Sequence, residues 1–191
     1  MRNYAAWIVS LSLLLSPGAA WAGQCVGVAM PDHVSVDGKP LLLNGLGLRE
    51  ATLLAIDVYV AGLYLERRSK DGKSIAASRE LKQLRLTFVR EVDPADMRDN
   101  MRLGFRRAAK ASHAKLAARF ELLESWIPKL SIGDTFSLTY RPATGLELRH
   151  GDKLLGTIAG DDFATAIFAI WLGDHPPGEA LKAGLLGGRC G

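Results

Sequence analysis

The sequence predicts an α+β protein, an antiparallel sheet that carries its helices mostly on one face. Three observations lead there. Apolar residues alternate with polar ones around residues 84–92 and again over 136–158. Between those blocks lie two apolar stripes at helical spacing. The chain also lacks repeats, low-complexity tracts and long linkers, so a single domain accounts for its length.

The elements follow in order. In "VSVDGKPLLL" the pair Asp37-Gly38 separates two apolar runs, which predicts a hairpin. Residues 53–65 are apolar at both parities and broken mainly by Asp57, the pattern of a strand covered on both faces, with Gly62 at a bulge or bend. In "SRELKQLRLTFVREV", Leu84, Leu86, Phe88 and Val92 share one face, and Arg85, Thr87 and Glu91 take a wet one. Asp93-Pro94 opens a helix as N-cap and first-turn proline, with Asp96 as an early anion. Met97, Met101, Phe105 and Ala108 form its apolar stripe. A second helix carries Leu116, Phe120, Leu123 and Ile127 and stops at Pro128. Phe136, Leu138 and Tyr140 then share parity with Leu146, Leu148, Leu154 and Ile158, a meander whose turns are "RPATG" and "HGDK". Asp161-Asp162 start a helix through Trp171 that ends at Gly173, and "HPPGEALKAGLLG" reads as a short terminal helix.

The ends carry their own signals. Arg2, the short apolar run "WIVSLSLLL", the breakers Pro17 and Gly18, and the small residues of "AWA" compose a secretory signal peptide over residues 1–22, cleaved before Gly23. The run is too short to span a bilayer. Gln24 disfavours a lipoprotein signal, because a small residue normally precedes a lipidated cysteine. Residues 23–191 are then one exported, periplasmic domain with no transmembrane segment. The two cysteines, Cys25 and Cys190, stand near its two ends, and in an exported chain they read as a disulfide. Without a CxxC there is no support for a redox role, and two lone cysteines make no zinc site. The net charge of +4 could suit nucleic acid. Export and the interspersed acids argue for a solvated surface instead.

Catalytic signatures are missing: no G-x-S-x-G elbow, no P-loop, no H-E-x-x-H. "GLGLRE" begins like a dinucleotide fingerprint, but Glu50 stands where a third glycine belongs and a strand follows instead of a helix. His33, His113, His150 and His175 sit in polar or proline-rich surroundings that favour solvation. Arg98, Arg102 and Arg106 form a row beside the Met97 stripe, either a solvated face or an anion-attracting rim. No cofactor and no metal are implied. One residue remains unexplained. Arg49 follows two closely spaced glycines and precedes the most apolar run of the chain.

"NGLGLRE" followed by "IDVYVAGLYLE" resembles the N-terminal motif of the chalcone isomerase-like family, and "FATAIFAIWLGDHPPGEALKAGLLG" resembles its closing helices. The resemblance implies an open-faced β-sandwich, with a large antiparallel sheet, helices on one side and a ligand cleft between them. Plant members cyclise chalcones there, and others bind fatty acids through the same arginine. Arg49 matches that residue, and a guanidinium fork suits a carboxylate or phenolate; the alternative is a structural ion pair with Asp57 or Glu50. Catalytic members add polar side chains that fall near Met97, Gly104 and Ile170, with a strand threonine near Leu54 or Thr52. None of the first three can make those hydrogen bonds. The resemblance therefore implies a non-catalytic site for a fatty acid or similar amphipathic anion, formed by Arg49, Tyr59, Met97, Met101 and Ile170. The alternative is an isomerase, an intramolecular lyase acting on an enolisable substrate with Arg49 as electrophile. A cleft-facing Tyr59 would favour that alternative.

Overall fold

A computed structural model describes residues 21–51, 55–188 and 190. The predicted signal peptide thus lies almost wholly outside the described residues, as do Thr52 and Leu54. Seven strands form one antiparallel sheet in chain order: β3 (His33–Val36), β4 (Lys39–Ala51), β5 (Ile56–Leu65), β6 (Lys82–Phe88), β7 (Thr135–Arg141), β8 (Gly145–His150) and β9 (Lys153–Ile158). The sheet curls into a half-barrel with helices packed on one side. Those helices are α1 (Gly72–Ala77), α2 (Pro94–Ala109), α3 (His113–Ser125), α4 (Asp161–Leu172) and α5 (Glu179–Leu185). A separate hairpin, β1 (Trp21–Cys25) and β2 (Val28–Pro31), lies on the other side of the first strands.

Most elements follow the expected patterns. Asp37 and Gly38 both take positive φ (52° and 77°), as the two-residue hairpin between β3 and β4 requires. β5 is covered on both faces: Tyr59, Ala61, Leu63 and Leu65 join the core under the helices, while Val60 and Tyr64 join Met30, Leu41, Leu43 and Leu46 in a second core under the β1–β2 hairpin. Asp93 occupies the N-cap of α2 but makes no capping bond with its side chain; Pro94 supplies the first turn. Met97, Met101, Phe105 and Ala109 are its buried stripe, with Ala108 half-buried beside them.

Three expectations change. Arg49 is inside a strand and not ahead of one, because β4 runs thirteen residues to Ala51. Val92 leaves β6 and makes an isolated bridge with Leu130. Leu154 is 49% exposed, because a register shift after Leu148 pairs Arg149 with Leu154 and turns Leu155 toward the core instead.

A bulge in β4 positions the site. Leu43 pairs with Tyr64, but Gly45 pairs with Leu63. The extra residue, Asn44, inverts the alternation. Leu41 and Leu43 therefore face the hairpin, whereas Gly45, Gly47 and Arg49 face the helices. Asn44 is 6% exposed and fully engaged. Its amide nitrogen donates to the carbonyls of Leu185 (2.7 Å) and Ser69 (2.9 Å), and its oxygen accepts from Ser69 N–H (2.8 Å).

The glycines exposed by this inversion let α5 rest on the strand. A Cβ at Gly45 would overlap the Gly184 carbonyl, one at Gly47 the Leu181 carbonyl, and one at Gly184 the Leu46 carbonyl. Cys190 continues from α5, donates its N–H to Leu46 (3.3 Å) and is joined to Cys25 by the disulfide. Closing a loop of 165 residues corresponds to about 5 kcal/mol in the chain-entropy model. Elsewhere the core holds one lysine. Lys82 is 1% exposed, donates to Ser78 O (2.6 Å) and lies over the Tyr140 ring; burial pulls its pKa down to about 8.

Replacing Asn44 by alanine removes the partner of the buried Leu185 carbonyl and of the half-buried Ser69 carbonyl and N–H. Denaturant unfolding of Asn44→Ala is expected to show a loss of about 2–4 kcal/mol, well above the cost of an ordinary hydrogen bond. A loss under about 0.5 kcal/mol, the range of neutral surface changes, would mean the bulge is held by something else.

Candidate functional site

A cavity of about 470 Å³ opens between the sheet and the helices. β4 contributes Arg49 and Ala51, and β5 contributes Val58 and Tyr59. α2 supplies Met97, Asn100, Met101, Leu103, Gly104 and Arg107, and α4 supplies Ile170 and Trp171. The α4–α5 connection closes one side with His175, Pro176 and Pro177. All five residues expected from the sequence, Arg49, Tyr59, Met97, Met101 and Ile170, line this one cavity. So does Gly104, where a Cβ would meet the Ile170 side chain.

The buried floor is Tyr59, Met97, Met101, Ile170 and Trp171, each at most 6% exposed. Only two polar atoms interrupt it, and they bond each other: Trp171 Nε1–H donates to the Tyr59 hydroxyl at 3.0 Å. Tyr59 therefore accepts one bond, and among the described residues it donates none, so its O–H is free for a ligand acceptor. Its ring packs edge-on against Phe88, centroids 5.5 Å apart. Burial pushes its pKa up to about 12, opposed by the Trp171 bond and the Arg49 charge. Near neutral pH Tyr59 is a neutral donor and not a base.

Arg49 lies directly across from Tyr59 in the β4–β5 register and is half-buried. Its guanidinium donates to the carbonyl of Glu50, and among the described residues it forms no ion pair. The ion pair weighed with Asp57 or Glu50 is thus absent. Its charge is left facing the cavity. Among the described residues no aspartate or glutamate lines the space, while Arg49, Arg107 and His175 all do.

The arginine row read from α2 is not the rim. Arg102 turns away toward α3, where it pairs with Glu124 (3.0 Å), and it also holds Asp99 of its own helix (2.8 Å); neither Arg98 nor Arg106 lines the cavity. The rim cation on α2 is Arg107, one turn past Gly104. Of the histidines, only His175 reaches the cavity, and it is exposed there; His150 instead pairs with Asp134 (3.0 Å). Sequence reading also missed Trp171. A polar atom at the end of an apolar helix was its one signal, and its partner on β5 could be found only in three dimensions.

A curled antiparallel sheet and the helices on one side of it thus enclose an apolar cavity bordered by two arginines, Arg49 and Arg107, that form no ion pair among the described residues. The chain belongs to the chalcone isomerase-like family, whose model matches residues 22–187. Among solved structures, the fold is similar to that of a fatty-acid binding protein from Arabidopsis thaliana. The TM-score is 0.65 and the identity 17%, over 84% of this chain and 92% of that one. No curated protein sequence matches the chain significantly.

The burial of Tyr59 has a measurable consequence. An unfolded phenol ionises near 10, and the folded one near 12. Tyr59 therefore contributes stability that is complete below pH 10 and lost as pH rises through 12. In a spectrophotometric titration, the phenolate step missing from Tyr59→Phe should fall near pH 12. A missing step near the ordinary value of about 10 would mean that the ring is solvated.

Proposed function

We propose that this chain is an exported, periplasmic and non-catalytic binding protein for a fatty acid or a similar amphipathic anion. The observation that carries this reading is the make-up of the cavity: an apolar floor, one free phenolic donor, Arg49 without a carboxylate partner, and no lining acid. A carboxylate head accepts from the Arg49 fork and from Tyr59 O–H, and the alkyl chain lies along Met97, Met101 and Ile170. Methionine suits such a surface because it is flexible and polarisable. The Arabidopsis thaliana neighbour, named as a fatty-acid binding protein, supports the ligand class. The N-terminal signal and the Cys25–Cys190 bridge support an oxidising compartment.

The isomerase alternative gains one observation, since Tyr59 does face the cleft. Tyr59 and Arg49 could polarise an enone carbonyl together. The positions of Met97, Gly104 and Ile170 are against it, because all three line the cavity and none carries a hydrogen-bonding side chain.

Displacement of a fluorescent fatty acid by purified protein tests the binding reading. Wild type should bind long-chain fatty acids. Arg49→Lys should weaken binding, because a point charge replaces a fork, and Arg49→Ala should weaken it by about tenfold or more. Equal affinity of wild type and Arg49→Ala would refute the head-group role. In a parallel assay, decay of chalcone absorbance should show no efficient, stereoselective turnover. A weak Arg49-dependent acceleration, up to the few hundred-fold that one preorganised donor typically supplies, is compatible with the binding reading. Rapid stereoselective turnover lost in Arg49→Ala would replace it with the isomerase one.

A further inference from the structure

We propose that the C-terminal end of α2, beside the cavity mouth, is a docking face for the surface of an anionic phospholipid bilayer. The two ends of the helix differ in charge. Its first two turns mix Asp96 and Asp99 with Arg98, whereas its last turn and the residue beyond carry Arg106, Arg107 and Lys110 and no acid. All three cations are exposed. No ion pair of the described residues uses any of them. Beside Arg107 a shallow concavity of about 230 Å³ continues over Lys110, His175 and Lys73, with Asp174 as its single acid. That acid is already taken by Lys73 at 2.9 Å. The basic surface therefore runs without a break from this end of the molecule to the mouth of the ligand cavity, and Arg107 belongs to both.

The mouth is also apolar where it meets solvent. Leu103, 39% exposed, lies on the outward side of α2 one turn before Arg106 and Arg107, and Pro176 and Pro177 stand beside His175 on the opposite rim. Basic side chains around exposed apolar ones fit the headgroup layer of an anionic membrane, where each lysine or arginine near the surface adds to attraction and each apolar group partitions inward. A soluble polyanion would use the charge but would gain nothing from Leu103 and the prolines. The membrane is also the source of an amphipathic ligand. That purpose rests on the binding role proposed above, while the charge and the exposed apolar rim do not.

Cosedimentation with vesicles tests the face. The wild-type protein should bind vesicles containing phosphatidylglycerol and not pure phosphatidylcholine, and binding should be lost in 1 M salt, where the screening length is about 3 Å. Arg106→Glu/Lys110→Glu changes two residues outside the cavity lining and should lower partitioning about tenfold or more. Lys39→Glu/Lys153→Glu makes the same change in net charge on exposed turns of the sheet, and should leave partitioning within about twofold, since distant charges are screened. Three results would overturn the proposal: equal binding to both lipids or to neither, equal losses in the two double variants, or binding to heparin as tight as to the anionic vesicles. Fatty-acid displacement by the same preparations separates the two readings. If vesicles bind and fatty acids do not, the ligand reading falls and the docking face stands.

Discussion

The inserted residue at Asn44 sets the direction of everything after it in β4. Side chains alternate along a strand, so one extra residue exchanges its two faces. Before the bulge, odd-numbered Leu41 and Leu43 fill the core under the β1–β2 hairpin; after it, odd-numbered Gly45, Gly47 and Arg49 face the helices. Without the bulge, Arg49 would point toward the hairpin, where Met30, Val60 and Tyr64 offer an arginine no charged partner. The Asn44 side chain holds the irregularity from three directions, because an unpaired ladder position in the interior needs substitutes for the bonds it forgoes.

The two glycines that follow matter for a related reason. They have negative φ and no special backbone conformation, so their value is the absence of a Cβ. With Gly184 they allow α5 to lie backbone to backbone on β4. The disulfide from Cys25 to Cys190 and the Asn44 bond to Leu185 then hold the end of α5 in place. Because α5 is anchored, the connection from α4 has to pass over the end of β4, and Pro176 and Pro177 wall the cavity there.

Inside the cavity, polarity is concentrated in a small number of groups. Trp171 and Tyr59 are almost fully buried, and each supplies what the other lacks: an indole donor meets a phenolic oxygen, leaving one phenolic hydrogen uncommitted. Arg49, across the strand pair, has no carboxylate partner among the described residues. Its guanidinium is open to solvent and bonded to the Glu50 carbonyl, so the cation needs no internal partner and stays accessible at the cavity edge. The helix side adds Met97, Met101 and Ile170, so the wall facing Arg49 and Tyr59 is apolar.

Much of this was legible in one dimension. Alternation of apolar residues defined β6 to β8, helical stripes defined α2 and α3, and Asp37-Gly38 defined its hairpin, because these patterns depend on local geometry alone. The motif around Arg49 marked the cation, and the apolar stripe of α2 marked Met97 and Met101. The sequence could not show where Arg49 points, since that depends on one extra residue whose bonding partners, Ser69 and Leu185, lie 25 and 141 residues away. Nor could it show that the rim cation is Arg107 and not the Arg98–Arg102–Arg106 row. Helical spacing groups those three, but which edge of α2 meets the cavity depends on how α2 is rotated against α4, and Arg102 is drawn off by Glu124 on α3. The Leu154–Leu155 exchange has the same origin as the Asn44 inversion. Local patterns fix the alternation of side chains along a strand, and only the packed sheet decides where that alternation slips by one residue.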